Sequence, residues 1–307
     1  MAYRFHKNEA VPHAIKRVFA EEIAWAVGRL QHAKNRTEAV HEARKSIKKI
    51  RALLGLIRSR LGSSYKTEDR FFRDAGRQLS ALRDTAVMLE VFGALAEKHA
   101  GTDAGALSEI KGNLERSHRE TPPEKQVRSQ LVRLFSEARP KADSWPLDDL
   151  SLDALMPDLI AVYRRGRKAL KRAHKIDNGV ALHDFRKAVK QHWYHMRLLE
   201  GVWGVDLKKR TADLRELETC LGEANNLRVL RERIAADVET SRDRHQIREF
   251  VALIEEESRD LRKRALEAGQ RLYADKACDF GAKLSAHTTP VRKRPSTTAS
   301  HASVAVA

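Results

Sequence analysis

Two stretches of this chain, 142 residues apart, carry the same order of basic and apolar residues without a gap: His41-Glu-Ala-Arg44-Lys45-Ser-Ile-Lys48 and His183-Asp-Phe-Arg186-Lys187-Ala-Val-Lys190. At the same offset Gly62 meets Gly204, Arg73 meets Arg215, Leu79 meets Leu221, Val87 meets Val229 and Glu90 meets Glu232. A unit present twice constrains the fold more than any single motif, because whatever one copy folds into, the other must fold into as well. The chain is therefore expected to be two copies of one unit.

That unit is helical. Apolar residues recur at helical spacing, as Ile15, Val18, Phe19, Ile23, Val27 and Leu30 in the first segment, then as Ile47, Ile50, Leu53, Leu54 and Ile57. Further helical segments are expected around 68–99, 104–118, 122–138, 152–174, 180–203, 208–237 and 242–274, and no sustained alternation suggests a strand. Breaks fall at Gly62-Ser-Ser, Gly101-Thr-Asp, Thr121-Pro-Pro and the stretch from Pro140 through Trp145-Pro146 to Pro157. The class is all-α. About four helices on either side of the last break suggest two antiparallel four-helix bundles side by side. The bundles are expected at 1–138 and 157–286, with a linker at 139–156 and a disordered basic tail at 287–307.

Each ladder sits on one helix face. At about 100° per residue, His41, Arg44, Lys45, Lys48 and Arg51 share one side, while Ala43, Ile47, Ile50, Leu54 and Ile57 take the other. In the second copy His183, Arg186, Lys187, Lys190 and Arg197 lie opposite Leu182, Phe185, Val189, Met196 and Leu199. From Ala43 to Thr67 there are eight cationic residues and no acid. Like charges at i,i+4 destabilise a helix by about 0.2–0.5 kcal/mol each, so a face that accumulates them twice suits a bound anion better than plain solvation. Arg164, Arg167, Lys168 and Lys171 repeat the spacing, as do His13, Lys16 and Arg17, and Arg70, Arg73 and Arg77. Acids beside the last two groups leave a solvated face equally open for them. A formal charge of +17 agrees with a polyanionic partner.

Other chemistries find less support. His41-Glu42 begins like the zinc-protease helix motif, but Lys45 stands where the second histidine is needed. His192 projects among apolar residues and reads as a packed core histidine, and Trp193 and Tyr194 as packing between helices. No nucleophile elbow, phosphate-cradling glycine loop, metal cluster or cofactor motif is evident, so a non-enzymatic binder is expected. Cys220 and Cys278 have no partners at metal spacing and read as buried or half-buried thiols. No segment approaches the roughly 18 apolar residues that span a bilayer, and no signal peptide is visible, so a soluble cytoplasmic protein without membrane insertion is expected.

The motifs Val40-His41-Glu42-Ala43-Arg44-Lys45-Ser46-Ile47-Lys48-Lys49-Ile50-Arg51, Leu79-Ser-Ala-Leu-Arg83-Asp84, Tyr163-Arg-Arg-Gly-Arg-Lys-Ala-Leu and Leu182-His183-Asp-Phe-Arg186-Lys187-Ala-Val-Lys190 resemble the conserved-histidine α-helical domain family, CHAD, over roughly residues 5–280. The resemblance implies two four-helix bundles related by pseudo-twofold symmetry, with a basic cleft or pore between them that binds inorganic polyphosphate. It also implies an association with polyphosphate granules. Carried onto this sequence, the binding residues are His41, Arg44, Lys45, Lys48, Arg51, His183, Arg186, Lys187 and Lys190. The helical pattern adds Arg164, Arg167, Lys171 and Arg197. One departure stands out: Asn225-Asn226 replaces Arg83-Asp84 in the second copy, which predicts unequal half-sites. The competing expectation is a nucleic-acid-binding helical protein, against which stand 6% aromatic residues and the lack of a reading motif. A phosphohydrolase would need an acidic metal cluster that the sequence does not offer.

Overall fold

In a computed structural model, the chain is described over residues 3–99, 101–119, 124–176, 178–203, 206–241 and 243–286. The tail 287–307 lies outside the described residues, as do the side chains of Arg83 and Asp84. Only helices and turns occur among the described residues, and none of these helices is long and apolar enough to cross a membrane.

The helix ends follow local chemistry. Pro12 opens α1 (Val11–His32), where a missing N–H costs nothing. Asn35 caps α2 (Arg36–Leu56), its side chain accepting from the Glu38 N–H at 3.1 Å. A short α3 (Arg58–Leu61) ends at Gly62, whose φ of +53° a side chain would disfavour. The long α4 (Ser64–Lys98), α5 (Ala104–Arg119) and α6 (Glu124–Ala138) complete the first half. The second half holds α7 (Met156–Lys175), α8 (Gly179–Leu199), α9 (Asp206–Asp237), α10 (Arg244–Leu272) and α11 (Ala277–Ser285). Asn178 caps α8 as Asn35 caps α2, accepting from the Ala181 N–H at 2.8 Å. The ladder helices α2 and α8 are thus both 21 residues long and asparagine-capped.

The apolar core does not divide between the halves. One cluster joins Ile15, Phe19, Leu53, Phe72 and Phe135 to Tyr163, Phe185, Met196, Trp203 and Leu214. A second, smaller cluster lies between the distal parts of α4 and α9, with α5 and α10, and again takes residues from both halves: Phe92 and Ile110 with Leu230 and Phe250. The segment 139–156 packs Ala142, Trp145, Leu147, Leu150 and Leu155 into the first cluster. Asp158 at the start of α7 reaches back to accept from the Ser59 N–H (2.9 Å) and hydroxyl (2.7 Å) at the start of α3. The two halves are therefore held together by burial along their whole contact, which lets α2 and α8 bring their ladders to one place.

As expected, His192 is buried, with Nδ1 3.0 Å from the Tyr273 hydroxyl, and Trp193 and Tyr194 are buried in the first apolar cluster. Cys220 is buried, but Cys278 is exposed: it lies one residue into α11, a short helix that the periodicity did not reveal and that buries only Phe280, Gly281 and Leu284.

Candidate functional site

The ladder helices approach where α2 lacks side-chain bulk. A Cβ at Gly55 would lie 2.1 Å from Gln191 Nε2 and 3.7 Å from His195 Nε2. His195 Nε2 is 2.7 Å from the Ala52 carbonyl oxygen. A carbonyl only accepts, so the imidazole carries its proton on Nε2. Burial pushes the His195 pKa down to about 4 against the opposing effect of that bond, so the ring is neutral.

One turn earlier on α2, four cations come together: Arg44 and Lys48 from α2, Arg186 and Lys190 from α8. Burial, reinforced by Lys190, Arg44 and Arg186, lowers the Lys48 ammonium from its ordinary 10.5 to about 7. Lys190 is lowered as well, again by burial first, with Arg186 and Arg44 adding to it and Glu218 opposing. The carboxylate facing them comes from α9. Glu218 Oε1 accepts from Lys190 Nζ at 2.6 Å and from Arg186 at 3.3 Å. Burial alone would raise the Glu218 pKa, but Lys190, Arg186 and Lys48 outweigh it and hold the group below the usual carboxylate range. Arg44 donates to the Leu79 carbonyl at 3.4 Å. Among the described residues Lys48 makes no hydrogen bond or salt bridge, and the buried Arg186 Nε has no partner.

The other ladder residues surround this group without joining it. His183 Nδ1 is 3.1 Å from Asn225 Oδ1, which fixes the proton on Nδ1; burial, then Lys187 and Arg186, pull its pKa below 6.5. Asn225, one of the pair that departs from the first copy, therefore orients a ladder histidine. His41 is more open, with Nε2 3.8 Å from Glu42. Lys45 pairs with Glu42 at 3.3 Å and Lys187 with Asp184 at 3.2 Å. Arg51, expected among the polyanion-binding residues, is held in bidentate fashion by Asp69 (2.8 and 3.0 Å). Arg197 turns to the Trp193 and Tyr3 rings, 5.2 and 5.8 Å from their centres. On α7, Arg164 and Lys171 are exposed and Arg167 is half-buried, influencing Tyr163 rather than the crossing. Two other α7 arginines reach α8: Arg165 donates to Gln191 Oε1 at 2.8 Å and Arg172 pairs with Asp184 at 3.6 Å.

A CHAD domain family model matches residues 9–235 of the sequence. The chain belongs to the CHAD domain family. Its fold is shared with the CHAD domain of the plant Ricinus communis (18% identity, TM-score 0.65, covering 89% of this chain and 95% of that one). It is likewise shared with PptA from Streptomyces chartreusis (15% identity, TM-score 0.63, covering 87% and 100%). No curated protein matches.

Beside the crossing, this CHAD domain holds a cavity of about 1080 Å³ between α1, α2, α8, α9 and α10, reached by Lys45 and Arg197. It is not the purely basic cleft expected. Seven carboxylates and seven cationic side chains line it, so its walls are charge-balanced. Lys49, counted with the basic run in sequence, is part of that balance: it binds the buried Glu22 at 2.6 Å, and Ser46 donates to the same carboxylate at 2.7 Å. The concentrated positive charge is thus narrower than the ladders, four side chains deep in the crossing. Glu218 escaped the sequence reading, whereas Asn225 was singled out as a departure between the copies without a partner being named for it. Position by position comparison of the copies carries a signal for both, since Gly76 stands at the place of Glu218 and Arg83 at that of Asn225.

Proposed function

We propose that this CHAD-domain protein binds inorganic polyphosphate, without cleaving it, where the two ladders meet. The observation that carries this reading is the meeting of Arg44 and Lys48 from one copy with Arg186 and Lys190 from the other, the last two paired with one carboxylate, and with Lys48 lowered to about 7 by burial and its cationic neighbours. A site that so disfavours its own protonation is electrostatically incomplete when empty, and an anion supplies the missing charge. Polyphosphate presents closely spaced oxygens and no sequence to read, which suits cations at helical pitch. Arginines offer it bidentate contacts and lysines point charges. Membership of a family linked to polyphosphate binding supports the same ligand.

In this proposal residues 1–138 and 157–286 are two pseudo-twofold-related bundles joined through 139–156, and Lys45, Lys187, His41 and His183 guide the chain outward from the crossing. Arg51 and the α7 group Arg164, Arg167 and Lys171 contribute long-range charge. The protein acts in the cytoplasm and at polyphosphate granules.

Calorimetric titration of long and short polyphosphate into wild type and an Arg44→Glu, Lys48→Glu, Arg186→Glu, Lys190→Glu variant tests the reading. Each charge-assisted hydrogen bond is worth about 1.5–3 kcal/mol, so reversal should weaken binding by roughly a thousandfold or more. Equal affinity in both proteins refutes the assignment. Displacement of polyphosphate by modest amounts of duplex or single-stranded nucleic acid would favour a nucleic-acid-binding protein instead, and release of orthophosphate with added divalent metal would favour a phosphohydrolase.

A further inference from the structure

Glu218 is unusual within the site. Its side chain is only 12% exposed, and it bonds to the two cations of the second ladder, Arg186 and Lys190, while Lys48 of the first has no salt bridge among the described residues. It is also foreign to the repeated unit, because the first copy has Gly76 at the corresponding position. A carboxylate has the charge and paired oxygens of a small bound anion, and this one occupies the place such an anion would take on Lys190 and Arg186.

We propose that Glu218 is a built-in counter-anion that orders the cations of the empty site and excludes small anions, so that it sets the preference for long chains; this rests on the polyanion reading of the site. An isolated orthophosphate has only this pocket of charge to occupy and must compete directly with the carboxylate for Lys190 and Arg186. A long chain spreads its charge over both ladders and engages Lys48 while competing with Glu218 at only one point, so the local competition is a small part of its binding. Glu218 is thus a specificity-determining residue that touches the ligand's own partners.

The test compares binding of orthophosphate, tripolyphosphate and long-chain polyphosphate to wild type, Glu218→Gln and Glu218→Asp, at pH 6 in a buffer free of phosphate and low in chloride. Deleting one charge a few ångströms from the bound anion should tighten orthophosphate and tripolyphosphate by about tenfold after solvent screening. Long chains should tighten by no more than about threefold, because the deleted charge is a small part of a spread contact. Glu218→Asp, which keeps the charge, should retain the wild-type ratio of short-chain to long-chain affinity. Melting curves confirm the fold, and Glu218→Ala supplies the same charge deletion should the glutamine variant fail to fold. An unchanged ratio in the charge-deleted protein overturns the proposal, as does weaker short-chain binding. If wild type binds long chains and the ratio does not move, the inference alone fails; if wild type binds no polyphosphate, the reading beneath it fails too.

Discussion

Binding of a polyanion at the α2–α8 crossing should take up a proton, and Lys48 is the group that accepts it. In the empty site Lys48 titrates at about 7, because burial and then Lys190, Arg44 and Arg186 disfavour its charge. A bound phosphate chain reverses the neighbouring potential and returns the group toward its ordinary 10.5. The share of the uptake due to Lys48 is then its fraction deprotonated before binding, about 0.1 at pH 6, about 0.5 at pH 7 and about 0.9 at pH 8. Affinity is greatest below pH 7 and falls as pH rises through it. The dissociation constant should grow about fiftyfold from pH 7 to pH 9, roughly 2.3 kcal/mol. In the free protein the same group acts in the opposite direction: folded Lys48 binds fewer protons than unfolded Lys48 between pH 7 and 10.5, so its contribution to stability rises across that window. Titration calorimetry at pH 8 in two buffers of different ionisation enthalpy counts the protons, using chains long enough that terminal phosphates are negligible. Lys48→Met keeps the stem and removes the titration, so it should bind about thirtyfold more weakly than wild type at pH 9, by more at pH 7, and show a much flatter pH profile. An identical pH slope in wild type and Lys48→Met between pH 7 and 9 would refute the reasoning.

Two further outcomes follow from the same geometry. Since the buried His195 is lowered to about 4 by burial, the unfolded chain binds more protons than the folded one between pH 6.5 and that value, and stability is lost as pH falls through the window, by about 3 kcal/mol; urea midpoints measured across this range should show the loss, and a uniform midpoint would contradict the burial argument. Because Arg164 and Lys171 are exposed on α7 and away from the crossing, Arg164→Ala with Lys171→Ala should change polyphosphate affinity no more than about threefold at 0.15 M salt, where exposed charges beyond a Debye length of about 8 Å are screened; a loss as large as that of the crossing variant would bring α7 into the site.

Helix positions were legible in the sequence to within a few residues. The segments expected at 104–118 and 208–237 appear as Ala104–Arg119 and Asp206–Asp237, because Gly101-Thr-Asp and the apolar spacing are local signals acting on local structure. α11 was not legible: nine residues with Phe280 and Leu284 as its buried large side chains give too short a pattern, and only docking near Tyr163 and Trp203 defines it, through Phe280 stacked at 4.0 Å and the indole N–H bonded to the Leu284 carbonyl. The candidate site was legible as two ladders but not as a selection within them. Helical geometry puts Arg51 and Lys48 on one face, yet Arg51 meets Asp69 of α4, 18 residues on, while Lys48 meets cations 138 and 142 residues away.

By itself the sequence determined that this CHAD domain is helical, that its basic faces come in a related pair, and that each face opposes an apolar one, since all three depend on residue type and spacing along a single helix. Only the tertiary structure decided which charges are spent and which are concentrated. Lys49 goes to the buried Glu22, Arg51 to Asp69 and Arg197 to aromatic rings, while Lys48, Arg186 and Lys190 converge on Glu218 with Arg44 close by. The physical reason is that burial and Coulomb interaction are set by neighbours distant in the chain. The same lysine side chain becomes a structural tie at position 49 and an acidified group without a salt bridge among the described residues at position 48, according to what the packed helices place against it.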